Sequence, residues 1–190
     1  MKYSVFIATS ADGYIATNTG SIDWLSTAGQ SDVDMGEEAD MGFSDFLDSI
    51  DCMIMGRKTM EKIASFNLND KEWPYGDLPI FVLSKTLESP PKNLGGKVEI
   101  HNGGIDRLVS RLEIDGFQHA YIDGGKTITS FLGMGLITDI IITRTPIILG
   151  GGIPLFGKLC ESIQLNTKSS RVFPNGFIQI QGKNRLSALL

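Results

Sequence analysis

Apolar residues in this chain fall in short runs separated by stretches of glycine, proline and small polar residues. Tyr3-Ser4-Val5-Phe6-Ile7-Ala8 reads as a buried first strand. The Gly/Asn/Thr-rich stretch from Asp12 to Ser21 cannot hold regular structure for long and reads as a loop lying over something. Between Gly29 and Gly42 an acidic segment carries Asp32, Asp34, Glu37, Glu38 and Asp40 with weak periodicity, which leaves its conformation open. Phe43, Phe46, Leu47 and Ile50 then stand at i, i+3, i+4 and i+7, one face of a helix. Cys52 to Met55 is a short apolar strand, a helix runs from Arg57 through Ala64, and Asn67 to Asp77 is a loop around Pro74 and Gly76. Strands follow at Pro79 to Leu83 and at Val98-Glu99-Ile100. Ile105, Leu108, Val109 and Leu112 give a clean helical face that Gly116 stops. His119 to Ile122 is a strand, Ile128, Phe131 and Leu132 mark another helix, and Ile140-Ile141-Ile142 is again apolar. Val172-Phe173 and Phe177 to Ile180 flank Pro174-Asn175-Gly176, a hairpin signal.

Strands alternating with helices of this length need crossover connections. The pattern therefore predicts an α/β fold: a mainly parallel central sheet covered by helices on both faces, with an antiparallel C-terminal hairpin at the edge. A chain of 190 residues with 42% hydrophobic and 21% charged content fits one domain over residues 1–190. The net charge of −5 speaks against a general nucleic-acid or membrane-surface binder, which needs a broad basic face. The run Val5 to Ala8 is too brief for a secretory signal, and no stretch approaches the ~20 apolar residues of a membrane span. A cytoplasmic protein is expected. Cys52 and Cys160 stand far apart with no C-x-x-C pairing, so neither a disulfide framework nor a metal site is read from them.

Two turns carry the candidate chemistry. Asp123-Gly124-Gly125-Lys126-Thr127 joins a strand to a helix through two glycines, where unpaired first-turn N–H groups can receive a phosphate. Met55-Gly56-Arg57-Lys58-Thr59 adds a guanidinium, an ammonium and a hydroxyl at a second strand-to-helix joint, a set suited to the 2′-phosphate and pyrophosphate of NADPH. Lys85, after the strand ending at Leu83, supplies further positive charge. Other motifs fail on inspection. A P-loop needs glycine where Ala120 stands, Gly133-x-Gly135 precedes a strand and reads as a helix stop, and neither His101 nor His119 begins a zinc-deaminase H-x-E. G-x-S-x-G is absent. Each glycine turn also has a plain reading, a tight joint that uses glycine for positive φ.

Taken together, these segments resemble the dihydrofolate reductase-like superfamily. The closer likeness is to its RibD C-terminal branch, the reductase domain of the bifunctional deaminase/reductase of riboflavin biosynthesis. The likeness runs through Ser10 to Ala16, Ile22-Asp23-Trp24-Leu25, Met55 to Thr59, Tyr121 to Gly125, and Pro146 to Phe156. It implies NADPH lying across the strand ends, with Gly56, Arg57, Lys58 and Thr59 at its phosphates and Asp123, Gly124, Gly125, Lys126 and Thr127 at its pyrophosphate. Ala8 and Ile15 resemble backbone positions that meet the nicotinamide carboxamide, Ser84 and Lys85 resemble residues on the adenosine side, and the loop from Asp12 to Ala16 resembles a lid. Gly150 to Gly152 is expected to shape a loop near the site.

Two departures accompany the likeness. Dihydrofolate reductases carry a carboxylate shortly after the Trp motif, and five residues after Trp24 this chain has Gly29; the zinc deaminase domain is missing too. The expected activity is hydride transfer from NADPH to a small heterocyclic or ribosylamino-pyrimidine-type substrate. That substrate would lie between the Asp12 loop and the helix near Phe43, with Asp12 and Asp23 as candidate proton sources. A dihydrofolate or pterin reductase and a non-catalytic NADPH-binding module are the alternatives. The exposed hairpin edge suggests a homodimer.

Overall fold

The computed structural model describes residues 1–36 and 39–184. In chain order the elements are β1 (Lys2–Thr9), β2 (Tyr14–Ala16), α1 (Trp24–Thr27), α2 (Phe43–Asp48), β3 (Cys52–Gly56), α3 (Arg57–Ser65), β4 (Ile80–Leu83), β5 (Glu99–His101), α4 (Ile105–Ile114), β6 (His119–Asp123), α5 (Gly125–Gly133), β7 (Asp139–Arg144), β8 (Ile153–Pro154), β9 (Leu165–Val172) and β10 (Ile178–Asn184). Eight strands form one sheet in the order β5-β4-β3-β6-β1-β7-β10-β9. Pairing is parallel from β5 to β7 and antiparallel at the β7–β10 and β10–β9 junctions. This is the α/β sheet with an edge hairpin that the apolar pattern predicts.

Strand residues alternate between two cores. On one face Val5, Ile54, Ile122 and Ile140 meet Leu108 and Leu112 of α4 and Ile128, Phe131 and Leu132 of α5. On the other, Met53, Met55, Val82 and Tyr121 meet Phe46 of α2 and Met60 of α3. Because the central strands are covered twice, they read as continuous apolar runs. Each fully buried large side chain stabilises the fold by about 2 kcal/mol before conformational entropy is counted.

The structure adds to or departs from the sequence reading in three places, and it fills in the acidic segment that the reading left open. The loop from Asp12 to Ser21 contains β2, which pairs antiparallel with β8 from more than a hundred residues away. A four-residue helix, α1, follows it. Strand β9 reaches back to Leu165 through the polar Asn166 to Arg171, which shows no apolar alternation because the strand is an exposed edge. The acidic segment forms turns without a long helix or strand, and its Glu37 and Glu38 lie outside the described residues. Among the described residues no helix is long and apolar enough to cross a membrane.

Candidate functional site

β3 and β6 are parallel neighbours with Met55 opposite Asp123, so the two glycine turns leave the sheet side by side. Each turn seats a threonine of the other. A Cβ on Gly124, whose φ is +90°, would run into Thr59 Oγ1, and one on Gly56 would lie 2.8 Å from Thr127 Oγ1. Neither α3 nor α5 has a side-chain cap at its first turn. Two positive helix ends with free N–H groups therefore face the same ledge. Gly125 is buried under the opposite flank, where a Cβ would meet Pro154 O at 2.7 Å and Ile15 Cδ1 at 3.1 Å.

Cations gather on this ledge from three strand ends. Arg57 donates from NH1 to Thr86 Oγ1 at 3.1 Å, which brings it beside the Ser84-Lys85 turn at the end of β4. Its Nε lies 3.2 Å from Glu61 Oε1, and Lys58 Nζ lies 2.8 Å from Glu61 Oε2. The Lys58 hydrogen bond, helped by the nearby charges of Lys58 and Arg57, holds the Glu61 carboxyl below its usual range. These exposed pairs contribute little stability, but they orient the two cations. Lys85 and Lys126 are exposed. Ser84 Oγ accepts from Thr86 N at 3.3 Å and Leu87 N at 3.1 Å, so this hydroxyl shapes its own turn.

β1 and β6 part company above Ser4, the last β1 residue in register with β6. Tyr121 Oη donates to Phe6 O at 2.9 Å and closes the lower end of the split. By strand alternation Ala8 turns its backbone groups toward the same split. The connection out of β1 eventually reaches α2 on one face, while β6 runs directly into α5 on the other, so the split lies at a switch point of the kind where open α/β sheets take ligands.

A lid covers it. Asp12 accepts from Ser10 Oγ at 2.6 Å, Leu149 N at 3.1 Å and Gly150 N at 2.8 Å. The Ser10 hydroxyl, with these backbone N–H groups, keeps the Asp12 carboxyl below the usual carboxylate range. Leu155 N donates to Gly13 O at 3.0 Å, and a Cβ on Gly152 would strike Ala16 O. The glycine run from 150 to 152 thus lets one loop lie flat on the other. Asp23 is exposed at the start of α1, and no described contact joins it to the glycine turns.

Asp123 ends β6, directly before the glycine pair. Its side chain leaves β6 on the Tyr121 face, toward α2. Though the residue keeps some surface, its carboxyl is enclosed, and burial pushes it up from 3.8 to about 6 against a lowering hydrogen bond from Gly124. Phe6, Phe43, Phe46 and Tyr121 form an aromatic wall there, with Phe46 and Tyr121 centroids 5.1 Å apart. Tyr75 lies near enough for the Asp123 charge to add to the burial that pushes its phenol up. Sequence reasoning placed Asp123 only among the cofactor contacts; an acid directly before a glycine pair at a strand end was the available signal. Gly29 has φ +77°, and a Cβ there would collide with Asn175 O, so no carboxylate side chain fits that position. Two concavities of about 250 and 360 Å³ lie away from the glycine turns, one beside Ser4 and His119 at the amino ends of the strands and one beside Trp73 and Lys97.

Comparison with known proteins gives the same architecture. The family model of the RibD C-terminal domain matches residues 2–179. The uncharacterized protein YwjB of Bacillus subtilis (strain 168) is 33% identical over 173 residues, 90% of this chain and 92% of that protein. A crystal structure of a putative riboflavin biosynthesis protein from Shewanella sp. PV-4 superposes with a TM-score of 0.85 at 39% identity, covering 97% of this chain and 99% of that one. Dihydrofolate reductase from Enterococcus faecalis, complexed with NADP(H) and RAB-propyl, shares the fold with a TM-score of 0.62 at 11% identity, covering 97% of this chain and 96% of that one.

Proposed function

Since the chain belongs to the RibD C-terminal domain family, we propose that it is an NADPH-dependent reductase of a small heterocyclic or ribosylamino-pyrimidine-type substrate. The observation that carries this reading is the contact of two uncapped helix starts across β3 and β6, with Gly124 against Thr59 and Gly56 against Thr127. Such a ledge fits the anionic spine of a dinucleotide, and its residues match the group they would hold. Gly124, Gly125, Lys126 and Thr127 receive the pyrophosphate. Gly56, Arg57, Lys58 and Thr59 take the phosphates, and Arg57, steadied by Glu61 and Thr86, faces the 2′-phosphate. Ser84 and Lys85 border the adenosine. Ala8 and Ile15 flank the nicotinamide at the β1–β6 split.

Bound NADPH supplies a hydride. The protein aligns the acceptor against the aromatic wall, excludes water with the braced lid and gives up a proton from Asp123, whose raised affinity keeps part of the population protonated near neutrality. Asp12 serves as the lid's brace, since a carboxyl held low by three donors gives up no proton at neutral pH. Gly29, with no room for a side chain, weighs against folate as substrate. A cytoplasmic setting and a homodimer through the hairpin belong to the same proposal.

Fluorescence titration tests the reading directly. Arg57→Ala should weaken NADPH by roughly ten- to a hundredfold, the worth of a charge-assisted pair, while NADH changes little. Equal loss for both cofactors would remove Arg57 from the 2′-phosphate. Absence of NADPH binding to the unaltered protein would sink the proposal.

A further inference from the structure

The amino ends of the strands, opposite the glycine turns, carry chemistry that hydride transfer does not use. A concavity of about 250 Å³ lies there between α2 and the sheet. Ser4, His119, Asp139 and Gln181 border it from β1, β6, β7 and β10, while Asp45 and Phe46 border it from α2. Lys2, the first residue of β1, lines the same space.

Ser4 Oγ and His119 Nε2 are 2.7 Å apart, and His119 Nδ1 lies 2.8 Å from Ser49 O. A carbonyl only accepts, so Nδ1 carries the ring proton, Nε2 keeps its lone pair, and the Ser4 hydroxyl donates to it. Asp51 fixes the backbone of the histidine. Its Oδ1 accepts from His119 N at 3.0 Å and its Oδ2 from Gln118 N at 2.7 Å. Burial first, and the Lys2 charge second, lower the proton affinity of the imidazole against the Ser49 hydrogen bond and the charges of Asp51 and Asp139. The ring is therefore neutral at pH 7 and free to take a proton.

A hydroxyl bonded to an imidazole that a third group orients is the arrangement that activates a serine. No local motif announces it, because the two residues stand 115 positions apart and meet only where β1 and β6 pair. Ser4 is 2% exposed, yet it borders the concavity, so a small molecule seated there reaches its hydroxyl without crossing the core. Lys2 brings a positive charge, its Nζ 3.5 Å from Asp139 Oδ2. Asp139 and Asp45 offset that charge, so the lining favours an uncharged ligand over an anion.

We propose that Ser4 and His119 form a second site, which takes a small uncharged ester and transfers its acyl group first to Ser4 and then to water. The proposal stands apart from the reductase reading. Ser4 Oγ attacks the carbonyl carbon while its proton passes to His119 Nε2. The Lys2 ammonium stabilises the negative oxygen of the tetrahedral adduct. The bond from that carbon to the leaving alcohol oxygen then breaks, and the alcohol departs with the proton from His119. Water adds to the acyl-serine by the same route, which frees the carboxylic acid and restores the Ser4 hydroxyl. Ester and water thus become acid and alcohol, with no further reactant.

Incubation with p-nitrophenyl acetate tests the site. In the unaltered protein an acetyl group should appear on the peptide that carries Ser4, located by mass spectrometry, and p-nitrophenolate release should exceed the buffer rate. The acylation rate should rise with pH through one ionisation whose midpoint lies below the ordinary imidazole value, since the ring must be neutral to act. Ser4→Ala should abolish the adduct, and His119→Gln should slow its formation by about a hundredfold, with the folding of both checked by circular dichroism. Acetylation confined to lysines and the amino terminus would overturn the proposal, as would a Ser4 adduct that forms at the same rate in His119→Gln. The position of the adduct in the unaltered protein decides the matter even where a variant fails to fold.

Discussion

Burial lifts the Asp123 carboxyl from 3.8 to about 6, and both its chemistry and its cost follow from that number. In the folded chain the protonated form is favoured, so this side chain contributes stability fully below pH ~4 and loses it as pH rises through about 6. The full difference is about 3 kcal/mol, an upper figure for a shift of roughly two units. Asp123→Asn should therefore raise the thermal midpoint at pH 8 and leave it nearly unchanged at pH 4, measured by calorimetry at both. The same change should lower turnover by about a hundredfold or more while NADPH affinity holds. In the unaltered protein, turnover should fall as pH rises past about 6. A variant that keeps full turnover would take the proton-donor role from Asp123, and tight NADPH binding without any turnover would favour the non-catalytic reading.

At the scale of elements, the ledge depends on two helix starts touching. Gly124 combines a left-handed φ of +90° with a Cβ position already filled by Thr59 Oγ1. Gly124→Ala should destabilise the fold by about 2 to 4 kcal/mol, from backbone strain and overpacking together. Adding Thr59→Ala should recover the packing part and leave the strain. Denaturant midpoints of the two single variants and the double variant separate the contributions, and simple additivity would show that the two turns do not press on each other. This contact also explains why glycine at these joints was readable in two ways from sequence. The glycines serve protein packing, and the ligand ledge results from the same approach.

Across the whole molecule, the sheet carries more apolar surface than its helices cover. Val172 is 70% exposed, and Ile178 and Ile180 stand near 40%, all on one face of the β9–β10 hairpin with Val172 directly opposite Ile178. That face continues from Ile142 and Ile7 at the margin of the core. An uncovered stripe beside an open edge strand is the surface through which the proposed homodimer would form. Ile178→Lys should shift the protein to monomer in sedimentation velocity without changing its circular dichroism, and an unchanged mass in solution would remove the hairpin from any interface.

The order of the core strands and helices was legible in the sequence, because doubly covered strands such as Cys52 to Met55 and Ala120 to Ile122 must be apolar throughout, and helices such as α4 must show one apolar stripe. The glycine turns were legible for a steric reason, since Gly124 takes a left-handed backbone and Gly56 leaves room for the Thr127 hydroxyl. What pairs across the fold left no local trace. β2 finds β8, Asp12 finds the backbone of Leu149 and Gly150, and polar β9 is a strand only because β10 lies beside it. Asp123 shows the same limit, because a carboxyl's proton affinity is set by the atoms that enclose it and those come from distant segments. Sequence alone therefore determined the core elements and the two joints, through periodicity and backbone sterics; tertiary structure decided that the joints meet, that the Asp12 loop is braced and which acid is buried, because those are facts of proximity between parts far apart along the chain.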